Sequence, residues 1–104
     1  MDRIAKLREF LSNTPHDNFL QHALALEYVK TGEEEQAREL FISILERDPD
    51  YVGSYYHLGK LLERIGEKQA AITWYEQGMK KAKELGEQHA YNELQGAYEE
   101  AMDW

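Results

Sequence analysis

The sequence predicts an all-α protein, an α-solenoid of antiparallel helix pairs with about six helices. Two observations predict it. Apolar residues recur at helical spacing along most of the chain. In addition, sliding the chain along itself by about 34 residues, here called the repeat length, places small, aromatic and turn residues on residues of the same kind. No segment has the sequence pattern of a strand or of a long linker, so we expect one domain over residues 1–104.

The self-alignment matches residues that are demanding for packing and for turns. Overall identity between the two segments is low, but the matches concentrate at small, aromatic and turn positions instead of scattering. The matched pairs are Leu24 and Leu58, Ala25 and Gly59, Gly32 and Gly66, Glu33 and Glu67, Ala37 and Ala71, and Phe41 and Tyr75.

The first helix, predicted at about residues 2–13, belongs to an incomplete unit. Its Leu7, Phe10 and Leu11 stand one repeat length before Phe41, Ile44 and Leu45, in the second helix of the next unit. Residues 1–16 are therefore expected to form a half-repeat.

Two complete units follow, at residues 17–50 and 51–85. In each, a glycine interrupts two periodic runs, and Gly32 and Gly66 suit the left-handed conformation that closes a helix. The acidic run Glu33–Glu35 then falls in the first turn of the next helix, where carboxylates complement the helix dipole. That electrostatic role explains the run better than a metal site does.

The last helix, in residues 86–104, is expected to cap the stack. Its apolar stripe is Ala90, Leu94, Ala97, Tyr98 and Ala101. Polar residues fill its other side, as the exposed end of a solenoid requires.

Composition narrows the function. The formal net charge of −8 disfavours binding to nucleic-acid phosphates or to an anionic membrane surface. No apolar run is long enough to span a bilayer, and the start of the chain lacks a signal-peptide core. We expect a soluble, cytoplasmic protein. The absence of cysteine excludes disulfides and thiol chemistry.

The pattern resembles the tetratricopeptide repeat, a helix–turn–helix unit of about 34 residues. The positions that carry the resemblance are Leu24, Ala25, Tyr28, Gly32, Ala37, Phe41 and Pro49, then Tyr55, Leu58, Gly59, Leu62, Gly66, Ala71 and Tyr75. The resemblance implies a right-handed superhelix. Gln21, Gly78 and Lys83 depart from the family's preferences for an aromatic residue, alanine and proline. The last departure predicts that the final repeat helix runs on towards Gly86, and Gly78 predicts a close approach by the terminal helix.

The resemblance also implies a concave groove, lined by the first helix of each unit, that binds a peptide or helix of a partner protein. Carried over by position, the groove residues are Phe19, His22, Leu26, Lys30, Tyr56, Lys60, Arg64, Leu94 and Tyr98, with Val29, Gly53, Glu63 and Ala90 beside them. Lys30, Lys60, Arg64 and His22 make this face locally basic, which favours an acidic or amphipathic segment. An ordinary solvated helix face remains the alternative.

No catalytic constellation is present, so we expect a protein that is not an enzyme and needs no cofactor. His22 and His57 fall on adjacent first helices, but two ligands without a third seldom hold a metal. The clamp with which one subtype of the family grips chaperone C-termini is almost entirely missing. At its positions stand His22, Leu26, His57, Glu87 and Tyr91.

Two roles stay open for such a chain. The first is a peptide-binding adaptor that uses the groove. The second is an assembly or self-association element, because the first helix leaves one face uncovered and Trp104 ends the chain with a large apolar group. We expect a monomer or a weak homo-oligomer.

Overall fold

The structure is a computed structural model that describes residues 2–103. Within that range it contains six helices and no strand, which confirms the all-α repeat prediction. The helices are α1 Arg3–Asn13, α2 Asn18–Thr31, α3 Glu34–Arg47, α4 Gly53–Arg64, α5 Lys68–Glu84 and α6 Gln88–Met102. Trp104 lies outside the described residues, so the expectation about its apolar group stays a prediction.

Glycine and aspartate set the helix boundaries. Gly32 and Gly66 adopt φ values of 80° and 87°, as predicted for the residues that close α2 and α4. A side chain at these backbone angles would be strained, so the two turns depend on glycine. At the other end, the carboxylates of Asp2 and Asp17 accept hydrogen bonds from backbone amides in the first turns of α1 and α2.

Small residues allow the paired helices to approach closely. Ala37 and Ala71 are fully buried. A Cβ added at Gly59 would lie 2.1 Å from the Tyr75 ring, so α4 and α5 meet across a position that has no room for a methyl group. The aromatic rings of Phe41 and Tyr75 are also fully buried and fill the space between neighbouring helices.

Gly78 lies against both α4 and α6. A Cβ there would lie 2.6 Å from the Cβ of Tyr55 on α4 and 3.0 Å from Cδ1 of Leu94 on α6. The terminal helix thus makes the close approach that the sequence predicted, but α4 comes closer still. As also predicted, the last repeat helix is longer than its counterpart: α5 has 17 residues and α3 has 14.

This extension changes the register of α6. The buried Leu94 and Ala97 take the places that the buried Leu58 and Leu61 have in α4. The unchanged repeat length would instead put Asn92 in the place of Leu58, but Asn92 is exposed. The added turn of α5 and the short connection after it therefore shift the buried face of α6 from Asn92 to Leu94. Residues of α6 that are matched to α4 by adding the unchanged repeat length are therefore misplaced by the same shift.

No helix among residues 2–103 has both the length and the apolar character that crossing a bilayer requires.

Candidate functional site

A depression of about 440 Å³ lies between α2 and α4. It is lined by Leu26, Val29, His57, Lys60, Leu61, Glu63 and Arg64. The structure thus brings together three of the expected groove residues, Leu26, Lys60 and Arg64, with Val29 and Glu63, which were expected beside them. Apolar side chains supply part of its lining and charged groups of both signs supply the rest, a combination typical of polypeptide-binding surfaces.

The charges around this depression are largely paired. Arg64 donates from Nε to a carboxylate oxygen of Glu34 at 2.7 Å and from a terminal nitrogen to the Val29 carbonyl at 3.0 Å. Nζ of Lys30 lies 3.3 Å from Oε2 of Glu27. Arg64 therefore joins α4 to the start of α3 and is not free to bind a ligand carboxylate without giving up these contacts.

Lys60 differs from the other two cations. It is exposed on α4, and none of the described residues forms an ion pair with it. The basic character expected of this surface accordingly rests on Lys60. Its hydrated ammonium group can meet a ligand carboxylate without breaking an existing contact.

Glu63 is held in place by a buried tyrosine. The hydroxyl of Tyr75 donates a hydrogen bond to the Glu63 carboxylate. Burial raises the pKa of Tyr75 well above its ordinary value, and the hydrogen bond and charge of Glu63 add to the shift, with a smaller contribution from Glu100 on α6. The side chain of Glu63 is thereby oriented at the depression, and Glu100 lies close enough to act on the same tyrosine.

His22 packs between the helices instead of facing a ligand. Its Nδ1 lies 2.8 Å from Oγ of the fully buried Ser54 on α4. The ring also contacts Phe41 edge-on, with centroids 5.5 Å apart. Burial lowers the pKa of His22 to about 4, and the charge of His57 adds to the shift. His22 therefore serves mainly as a neutral link between α2 and α4.

His22 and His57 are adjacent, with ring centroids 5.3 Å apart. Burial lowers the pKa of His57 as well, although Glu93 on α6 opposes the shift. No group of three or more histidine or acidic side chains suited to a metal ion occurs within residues 2–103. The two rings pack edge-on against each other and join α2 to α4.

Comparison with known proteins settles the family. The sequence profile of the tetratricopeptide repeat matches residues 22–82, which is more than half of the chain. The chain belongs to the tetratricopeptide repeat family. Proteins of this family are generally non-catalytic modules that interact with other proteins.

Relatives and solved structures agree with that assignment. A TPR repeat-containing protein of Pseudomonas aeruginosa is 29% identical over 91 residues, which cover 88% of this chain and 87% of the relative. The solution structure of a tetratricopeptide repeat domain protein from Salinibacter ruber is 47% identical, with a TM-score of 0.80, over 84% of this chain and 88% of that one.

A third similar structure contains a ligand. The TPR2B domain of yeast Sti1, in complex with pHsp70, superimposes with a TM-score of 0.88. The match covers 95% of this chain and 79% of that one, but sequence identity is 18%. At that identity the comparison shows the shared fold alone.

Other residues carried over from the tetratricopeptide pattern have different surroundings. Phe19 is 72% exposed at the start of α2. Tyr56 is partly buried and packs edge-on against His57. Tyr98 lies beside α5, where its hydroxyl is 3.4 Å from Glu76, and it does not line the depression.

The assignment of Leu94 to the groove is wrong. Its side chain is 1% exposed and packs against Gly78, so it belongs to the core. The error follows from the register shift of α6, because Leu94 takes the structural place of Leu58 and not of Lys60.

Sequence reasoning missed several residues of the surface. His57 and Leu61 line the depression but were not among the expected groove residues, although His57 stands at one of the positions of the chaperone clamp. With the corrected register of α6, Gly96 and Glu100 stand where α4 has Lys60 and Arg64. The extra length of α5, marked by Lys83 in place of proline, was the available signal for that shift.

Proposed function

We propose that this tetratricopeptide repeat chain is a non-catalytic adaptor that binds a peptide or helix of a partner protein in the depression between α2 and α4. The observation that carries the proposal is the exposed Lys60, which has no ion-pair partner among residues 2–103, beside the apolar lining formed by Leu26 and Val29. The family's general role in protein interaction supports it, since the depression lies between the first helices of successive units.

The chemistry of this surface favours an amphipathic ligand. An apolar side chain would bury itself against Leu26 and Val29, while a neighbouring carboxylate would accept a charge-assisted hydrogen bond from Lys60. Because Lys60 is exposed, salt should weaken the electrostatic part of the interaction. We expect a dissociation constant in the micromolar range, ~1–100 μM, as is common for small contact surfaces with few anchors.

Charge reversal at Lys60 tests the proposal. Lys60→Glu should weaken partner binding about five-fold or more, because it replaces one attraction with a repulsion. The matched control is Lys6→Glu, the same charge change at an exposed residue of α1 away from the depression. Arg64→Glu is a poorer test because it would also break the contact with Glu34.

The measurement has two steps. The purified wild-type chain and both variants capture partners from the native lysate, and segments of each captured protein are then titrated by fluorescence anisotropy. A segment that loses affinity with Lys60→Glu but not with Lys6→Glu supports the groove. Equal affinity for all three proteins would refute it.

A further inference from the structure

The groove changes chemical character from α2 to α6. Equivalent residues of the three helices are one repeat length apart between α2 and α4, and α6 follows α4 in the shifted register that buries Leu94. The equivalent sets are Leu26, Val29 and Lys30 on α2; Lys60, Glu63 and Arg64 on α4; and Gly96, Glu99 and Glu100 on α6. The surface is apolar and basic over α2, mixed over α4, and acidic over α6.

The shifted register places Glu99 and Glu100 of α6 where α4 has Glu63 and Arg64, which line the depression. Glu93 acts electrostatically on His57, which lines the depression, and Glu100 acts on Tyr75, whose hydroxyl holds Glu63. Glu99 and Glu100 are exposed, and no described cation pairs with either of them. The negative end of the groove is therefore available to a ligand cation.

Gly96 supplies a separate observation. It lies inside α6, where glycine weakens a helix, yet a Cβ added to it would meet nothing within 4 Å. Packing requires Gly59 and Gly78 but does not require Gly96. At the place that corresponds to Lys60, the absent side chain leaves the surface of α6 flat, so an incoming chain can lie close to it.

We propose that the groove selects a bipolar segment, with an apolar residue over α2, a carboxylate over Lys60 on α4, and a lysine or arginine over Glu99 and Glu100 on α6. This inference rests on the proposed function and adds the polarity of the ligand. Neighbouring helices lie about 8–10 Å apart. A segment in the polyproline II conformation rises ~3.1 Å per residue and presents every third side chain on the same face, so the three side chains would be spaced about three residues apart.

Three synthetic peptides of equal length test the polarity. The first carries leucine, glutamate and lysine at that spacing in a polar, uncharged background. The second replaces the lysine with glutamine, and the third replaces the glutamate with glutamine. Fluorescence anisotropy at low salt should show that the first binds the wild-type chain about three- to ten-fold more tightly than either of the others.

Variants of the groove residues test separately whether α6 binds a ligand cation and whether Lys60 binds a ligand carboxylate. Glu99→Lys combined with Glu100→Lys should remove the advantage of the lysine-containing peptides. This double variant should still fold, because cations near the C-terminal end of α6 interact favourably with its helix dipole. Gly96→Leu should weaken all peptides by obstructing the flat wall, whereas Lys60→Glu should weaken chiefly those with glutamate.

The outcomes distinguish polarity from groove binding. If Lys60→Glu lowers affinity but the bipolar peptide has no advantage over the second, the groove stands and the bipolar proposal is wrong. The bipolar proposal is also wrong if the double α6 variant keeps the wild-type ranking of the peptides. If no peptide responds to Lys60→Glu, or none binds, the bipolar proposal is wrong, and the proposed function is decided separately by the captured segments.

Discussion

Gln21 and Tyr55, at equivalent positions of successive units, make the same hydrogen bond. Gln21 donates from Nε2 to the Pro15 carbonyl at 2.7 Å, and Tyr55 donates from its hydroxyl to the Pro49 carbonyl at 2.6 Å. Both side chains are buried. The glutamine that departs from the family's aromatic preference therefore keeps the aromatic residue's polar contact with the turn before the helix.

Removing this contact should destabilise either unit. Gln21→Leu and Tyr55→Phe each leave a proline carbonyl without its donor, at an expected cost of about 0.5–1.5 kcal/mol. Gln21→Leu should fall at the upper end, since Gln21 also accepts a hydrogen bond from Arg47. Urea unfolding followed by circular dichroism measures both. A Gln21→Leu protein as stable as the wild type would show that the contact contributes nothing.

The helix-interior glycines should respond to alanine in opposite directions. Gly59→Ala forces its methyl group into the Tyr75 ring and should cost about 1–3 kcal/mol. Gly96→Ala meets open space and should stabilise the chain by about 0.5–1 kcal/mol. Thermal unfolding of both variants checks the difference. Destabilisation by Gly96→Ala would mean that α6 is packed differently from the structure described.

Acidification should destabilise the chain through His22. Its pKa in the folded protein is lowered to about 4 from an ordinary 6.5, so the unfolded chain takes up the proton first as the pH falls. This destabilisation is absent well above pH 6.5, grows as the pH falls to about 4, and becomes constant below that. Melting temperatures at pH 7 and pH 5 should differ less in His22→Gln than in the wild type.

The matched control for this measurement is His16→Gln, at an exposed histidine before α2. It should leave the difference between pH 7 and pH 5 as it is in the wild type. A wild-type melting temperature that does not change between these two pH values would refute the assignment of His22 as a buried neutral side chain.

Neither end of the described stack should accept a second copy of the chain as a continuation of the repeat. Arg3 stands one repeat length before Ala37, where the internal units have fully buried alanines. At the register of α6, Gln95 stands where α4 has Gly59, which has no room for a side chain. We therefore predict a monomer at about 100 μM in sedimentation velocity. Concentration-dependent dimerisation, reduced by Lys6→Glu on α1, would favour the assembly role instead.

Helix existence and helix ends could be read from local chemistry. The left-handed glycines Gly32 and Gly66 and the small residues Ala37 and Ala71 act through backbone angle and volume, which are properties of the residue itself. The long α5 and the tight contact at Gly78 were predicted from departures from the family's pattern, with Lys83 in place of proline and Gly78 in place of alanine. The fold was therefore predicted almost completely, while the site was predicted only in part.

The sequence by itself determined that helical hairpins stack and cover each other's apolar sides, because spacing and residue volume encode that arrangement. Only the tertiary structure decided the rotation of α6, which buries Leu94 and leaves Glu100 exposed. It also decided that Arg64 is paired with Glu34, while Lys60 has no ion-pair partner in the part of the chain that the structure describes. A helix's rotation and a charge's partner depend on neighbours distant in the chain, and a periodic pattern does not specify those neighbours.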